Sequence, residues 1–344
     1  MRGWEWVATA YLVGLPCLYW RGLPQDHALA VAYPMATLAL AGWSVGVAHR
    51  RVSSRVIGWL MLGVVASALW TMPDAGFPAL ILHAVVAFVA WWALVSAAPS
   101  AAWLERRLVW LAVANAVYAW GQWAGIDPLF EVVDSSHTDP IRPLGWFSHR
   151  SQLAVLWLVA CPLARRWQRG LLVASAAMTG SWTATGGMLL WWLSRRCLPW
   201  VVLGAAGGVL LGCWGGSAAS RLLPRVTSWS MALGQALWSP LAGYGLGAWE
   251  TQPVGPFYNS YVAAFHIGGG LLLAPLLWAV WRVWRSRPSP VRDALLALAA
   301  AACVQTPWHF IRVVIVTVAL GAAWELRRQD ADQPMDRGVA PIPG

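Results

Sequence analysis

Apolar residues run along this chain in long, almost unbroken stretches of roughly 15–24 residues, the length range of membrane-crossing helices. They fall at about 4–20, 28–48, 56–72, 77–97, 108–124, 151–164, 170–183, 186–194, 198–215, 258–281, 294–307 and 310–324, with arginine clusters or Pro/Gly runs between them. The stretches lack the strict apolar–polar alternation of barrel strands. A crossing takes about 20 residues, so the stretch at 186–194 either borrows from Thr183 to Gly187 or enters as a tilted or broken helix. The pattern predicts an all-α, polytopic helical membrane protein with about 12 transmembrane helices (10–12). Residues 1–328 form a single transmembrane domain. Its two long outer loops lie at about 125–150 and 215–257, the second partly helical and placed between helices nine and ten. The polar, Pro- and Gly-bearing residues 329–344 read as a disordered cytoplasmic tail.

Composition agrees with that pattern. Hydrophobic residues make up 59% of the chain and charged residues 11%, with a mean hydropathy of +0.55; a soluble domain carries about 25% charge. All 24 basic residues are arginine, and the net charge is +10. Such an excess could signal nucleic acid, but the arginines sit in short clusters beside apolar stretches, among them Arg50-Arg51, Arg106-Arg107, Arg165-Arg166, Arg195-Arg196 and Arg327-Arg328. That is the distribution of a positive-inside signal, which excludes nucleic acid as the partner and places both termini in the cytoplasm. The first apolar stretch follows Met1 without a small-residue cleavage site, so it reads as a retained helix. The five cysteines form no close pair and read as small apolar fillers without a metal.

Polar chemistry gathers on the outer side of this topology, chiefly from Arg221 to Gly270. That stretch holds Arg221, Arg225, the glycine-rich Gly243-Tyr-Gly-Leu-Gly247, the lone carboxylate Glu250, and the run Tyr258-Asn259-Ser260-Tyr261. Arg221 and Arg225 are four apart and share a face if helical. Guanidinium groups grip phosphate oxygens in bidentate fashion, so fixed arginines beside a bilayer suit a phosphate-bearing lipid. Arg150, with His149 beside it, opens the sixth stretch at the same outer edge. Arg312 lies inside the last stretch, where an unpaired charge costs at least about 2.5 kcal/mol, so it snorkels outward or faces a polar cavity. Glu250 could serve as a base, an ion-pair partner or a solvated charge. His266, within the tenth stretch, and His309 read as structural.

From Leu144 to Leu273 the chain resembles the O-antigen ligase and O-antigen polymerase family of polytopic membrane glycosyltransferases. Gly145-Trp-Phe-Ser-His-Arg-Ser-Gln-Leu-Ala154, followed by Cys161-Pro162, is similar to the family's glycine–aromatic entry into a helix that ends in proline. Thr179-Gly-Ser-Trp-Thr-Ala-Thr-Gly-Gly-Met188 stands where members carry a serine–arginine–glycine turn. Arg225-Val-Thr-Ser-Trp229, Pro240 and Gly243-Tyr-Gly-Leu-Gly-Ala-Trp249 are similar to the approach to the catalytic motif, and Asn259 with Gly269 matches that motif's spacing. The resemblance implies an inverting, metal-independent transfer without a cofactor. The donor would be a polyprenyl-pyrophosphate-linked glycan and the acceptor a glycan, a lipid or a protein. The work would be done at the outer face of a bacterial cytoplasmic membrane, in contact with membrane lipid.

Together, the residues and the resemblance point to Arg225, Glu250, Tyr258 and Asn259 for catalysis, with Glu250 as the fallback base, and to Arg150, His149, Arg221 and Arg312 for substrate binding. Two departures stand out. Tyr258 occupies the position where ligases carry histidine, and a phenol titrating near about 10 is a poor base at neutral pH, although it can still position a sugar. The turn Ser181–Met188 lacks the family's arginine. These gaps keep two other readings open: a transporter or flippase for a lipid-linked solute, and a non-catalytic relative that binds polyprenyl lipid.

Overall fold

The computed structural model describes residues 3–17, 25–45, 77–126, 150–178, 216–244, 259–302 and 311–332, and within them every regular element is helical. The helices are α1 (Gly3–Thr9), which continues through a π turn (Ala10–Gly14) and a 3-10 turn (Leu15–Cys17), then α2 (Gln25–Val45), α3 (Phe77–Ala97) and α4 (Ala101–Trp123). They are followed by α5 (Arg150–Ala160), α6 (Arg166–Met178), α7 (Gly216–Ala236), α8 (Ser260–Arg285), α9 (Pro290–Ala302) and α10 (Ile311–Asp332). Each apolar stretch of the sequence that falls on described residues is helical. The stretches at 56–72, 186–194 and 198–215 lie outside them.

Two helices form the centre. In α5 every residue from Gln152 to Ala160 is buried, on all sides of the helix, as expected of an element surrounded by others. Helix α10 packs against α2, α3, α4, α5 and α9. Around this axis α2 lies on α3, α4 on α5 and α6, and α8 on α9. Side-chain hydrogen bonds fix the pairings. The fully buried Trp157 of α5 donates its indole N–H to the Ala112 carbonyl of α4 at 3.1 Å. Trp120 of α4 donates to Ser175 Oγ of α6 at 3.0 Å, and Tyr261 of α8 donates to the Ala299 carbonyl of α9 at 3.0 Å.

Local sequence sets the ends. Ser100 caps α4 by accepting from the Trp103 amide. The end of α5 is closed by Arg169, which donates from Nε to the Cys161 carbonyl at 3.0 Å and from Nη2 to the Ala164 carbonyl at 3.2 Å. A cation on those last carbonyls also opposes the negative end of the helix dipole. One end of the bundle is tied by Arg327 of α10, which holds Glu105 of α4 in a two-pronged pair at 2.6 and 2.9 Å. There too Trp324 reaches Ser286, between α8 and α9, at 3.4 Å.

Helix α10 runs further than hydropathy indicates. The apolar stretch stops at Trp324 and the expected disordered tail begins at residue 329, yet the helix continues to Asp332. Its extension carries its own bonds: Arg328 grips Glu325 at 2.7 and 3.0 Å, and Gln329 donates to the same carboxylate at 3.1 Å. Charged pairs one turn apart sustain a helix that hydropathy alone does not register.

Among the described residues one helix, α8, is long and apolar enough to cross a membrane, with a mean hydropathy of 1.7 over its best stretch. Large apolar side chains also face outward from other helices, including Trp6, Met35, Leu38, Trp110 and Val117.

Candidate functional site

Three of the residues singled out by sequence, Arg221, Arg225 and Asn259, belong to the pair α7–α8. Helix α7 carries a stripe at Trp229, Ala232 and Ala236, the last two fully buried. Ala232 packs with Val262, Ala263 and Ile267 of α8, and Trp229 closes over the group. The Ala232 carbonyl lies level with His266, and the carbonyls of Pro240 and Leu241, further along the chain, lie level with Gly270 and Leu271, so α7 and its turn run beside α8 in the same direction. Arg225 and Arg221 occupy the same stripe of α7, one and two turns nearer its start. Counting seven residues back along each helix from Ala232 and His266, which approach to 3.3 Å, puts the backbone of Arg225 near the level of Asn259.

Asn259 is the N-cap of α8. Its backbone is extended, with φ −150° and ψ 115°, and its side-chain oxygen accepts from the amides of Tyr261 and Val262 at 2.9 and 3.1 Å. This is the geometry that makes asparagine a preferred cap, and it satisfies two amides the helix start leaves open. The family-like position thus has a structural task of its own.

Ten positions on, α8 breaks. Gly269 adopts φ 56° and ψ −149°, a conformation bordering the region open essentially to glycine alone. The turn that follows α7 fills the gap. The Gly270 amide donates to the Pro240 carbonyl at 2.7 Å, the Leu271 amide to the Leu241 carbonyl at 3.1 Å, and the Tyr244 amide to the His266 carbonyl at 2.9 Å. The two backbones touch so closely that a Cβ on Gly269 would lie 2.5 Å from the Leu241 carbonyl group, and one on Gly243 would lie 2.5 Å from that of Ile267. Gly269 and Gly270 thus stand in close backbone contact with the turn.

His266 is the pin of this arrangement. It is buried, its Nδ1 lies 3.3 Å from the Ala232 carbonyl of α7, and its ring stacks on Tyr244 at 5.2 Å between centroids. The Tyr244 hydroxyl donates in turn to the Gln235 carbonyl at 3.1 Å. One histidine thereby joins α7, the 237–244 turn and α8. It fits the structural role read from sequence, and Tyr244, which sequence left inside a glycine-rich motif, is the partner missed there.

Of the other site residues, Glu250, Tyr258 and His149 lie outside the described residues. Arg150 opens α5, Arg312 stands in the first turn of α10, and Arg221 and Arg225 lie in α7; for these four only the backbone is described. Among the described residues no cluster of His, Cys, Asp and Glu is grouped as a metal site would require. No known family profile matches this chain, and neither does any curated protein.

Proposed function

We propose that this chain is a multi-pass protein of a bacterial cytoplasmic membrane that transfers or polymerises a glycan from a polyprenyl-pyrophosphate donor on the outer face. The observation that supports the reading is the side-by-side run of α7 and α8, along which helical register brings Arg225 and Asn259 to a similar level.

In the proposed reaction an acceptor hydroxyl oxygen attacks the anomeric carbon of the donor sugar. The bond from that carbon to the pyrophosphate oxygen breaks, and its electron pair leaves with the lipid pyrophosphate. Arg225, with Arg221 one turn away, stabilises the charge that develops there; Arg150 and Arg312 meet lipid phosphates, with His149 beside them. Glu250 takes the hydroxyl proton, and Tyr258 and Asn259 orient the sugars.

The membrane assignment has separate support. The sequence topology puts Glu105, Ser286, Trp324 and Arg327 on the cytoplasmic side, and these residues bond to one another. Arg282 and Arg285 cover the rings of Trp278 and Trp281 at 5.1 and 5.5 Å, as aromatic and basic residues do at an interface.

A transporter reading draws on the break in α8, because broken helices hold substrate and ions in many transporters. Here the amides of Gly270 and Leu271 already donate to Pro240 and Leu241. That occupancy favours the transferase. The test is reconstitution in vesicles with a lipid-pyrophosphate-linked oligosaccharide and a panel of glycan, lipid and peptide acceptors. Glycan transfer or lengthening that is lost in Arg225→Ala is expected; no transfer to any acceptor, with donor movement across the bilayer instead, overturns the reading.

A further inference from the structure

We propose that α7 and the turn at 237–244 form a re-entrant element that dips from the outer face to near the middle of the bilayer and lays its apolar edge against lipid acyl chains. The proposal rests on the reading of α8 as a membrane span, and it replaces the picture of 215–257 as a loop wholly outside.

Depth follows from α8. The tryptophans Trp278, Trp281 and Trp284 with Arg282 and Arg285 set the inner boundary of that helix. Taking Trp281 as the boundary level and a rise of about 1.5 Å per residue, Gly269 lies about 18 Å above it and so about 12 Å beneath the outer edge of a 30 Å core. The turn is bonded to α8 at that level, through Pro240 to Gly270 and Leu241 to Leu271. Because α7 runs in the same direction as α8, the chain descends along α7 and must climb back before Asn259.

Two features of the turn fit a medium without water. Five of its seven amides are taken up internally: Leu237 donates to Leu233, Trp238 to Gln235, Ser239 to Ala236, Gly243 to Ser239 and Tyr244 to His266. Irregular backbone at membrane depth is tolerated only when protein satisfies it in this way. Its outward side chains are apolar, with Trp238 87% exposed, Leu241 74% and Leu237 70%. Leu241 is bonded beside Leu271, which begins the outward apolar face of α8 that continues through Leu277, Trp278 and Trp281. The edge of the turn is thus continuous with the surface that a bilayer would cover.

The experiment places single cysteines by Trp238→Cys, Leu241→Cys, Leu277→Cys and Ile126→Cys in the full chain, in vesicles of phosphatidylethanolamine and phosphatidylglycerol with the outer face exposed. A membrane-impermeant maleimide is added, and labelling of the unsubstituted chain is subtracted. Positions 238 and 241 should label at least about tenfold more slowly than 126 and as slowly as 277, because the reactive thiolate does not form away from water. A benzophenone side chain at 238 or 241 should also form adducts with radiolabelled phospholipid, as it does at 277. Rapid labelling at 238 and 241 with 277 protected overturns the re-entrant element and leaves the span intact. Rapid labelling at 277 as well overturns the span and the proposal together. Protection at 238 and 241 without lipid adducts means that protein covers the edge, and it also overturns the proposal.

Discussion

Replacing Gly269 by alanine, with Gly270→Ala beside it, isolates the contact that joins the turn to the broken helix. A methyl group at Gly269 meets the Leu241 carbonyl carbon and oxygen at 2.5 Å and the Gly243 nitrogen at 2.7 Å, all of them backbone atoms that no rotamer change can move. The new residue also inherits φ 56°, which costs about 1–3 kcal/mol for a side chain with a Cβ. Relief of the clash displaces the turn and loses one or both of the Gly270–Pro240 and Leu271–Leu241 hydrogen bonds, at about 1 kcal/mol each. The sum is about 2–5 kcal/mol. At Gly270 the nearest atom to a new Cβ is the Pro240 carbonyl oxygen at 3.4 Å, an ordinary contact, and the residue sits in helix, where alanine is favoured over glycine by about 1 kcal/mol. Thermal unfolding of detergent-solubilised protein at a fixed scan rate reads the difference. Gly269→Ala should melt on the order of 5–10 °C below the parent, and Gly270→Ala within about 2 °C of it. Equal melting temperatures for the two variants would refute the claim that backbone contact with the 239–244 turn holds α8 in its broken form.

Further outcomes follow from other sites. Asn259→Ala should lower stability by about 1 kcal/mol through loss of the α8 cap, whereas Asn259→Ser should hold it within a few tenths, so a Ser variant that melts normally but transfers no glycan separates the amide's chemistry from its capping role. A double-mutant cycle over Glu105→Gln and Arg327→Gln should give a coupling of about 1–2 kcal/mol, above that of an exposed pair, since both prongs are formed and Glu105 is largely covered. The hydrogen bonds that Arg327 donates to Glu105 raise the arginine's pKa above its usual value, so the arginine's share of that coupling is complete below the arginine range and fades only as pH climbs through the raised value; measured between about pH 7 and 10, it should be flat. Trp157→Phe should cost about 1–2 kcal/mol, from the lost Ala112 bond and the smaller ring, and Trp157→Ala about 3–5 kcal/mol by the same unfolding assay.

The helices were legible from hydropathy because length and apolarity are what a buried or lipid-facing helix requires. The 77–97 stretch and the helix Phe77–Ala97 coincide, and Ser100 at the next start is a capping residue visible in the sequence. The path of 237–244 was not legible. Leu237, Trp238 and Leu241 are apolar but too few in a row to register as a span, and the turn's depth is set by bonds to Gly270 and Leu271, far along the chain. The break at Gly269 is hidden for a similar reason, since Ile267 to Leu273 reads as an uninterrupted apolar run. The signal lay in two glycine groups taken together, Gly243 and Gly269-Gly270, each of which makes sense only as the other's contact. For the site, helicity and the shared stripe of Arg221 and Arg225 agree with the sequence spacing, while the capping role of Asn259 emerges only from its bonds.

Glu105 and Arg327 are separated by 222 positions. At ribosomal speeds of about 5–20 residues per second, the carboxylate waits roughly 10–45 s after its own synthesis before its guanidinium partner exists. Helix α10, around which α2, α3, α4, α5 and α9 gather, is made after all of them. The earlier helices therefore exist before the element they pack around, and the ionic clasp can shut only once α10 has been made.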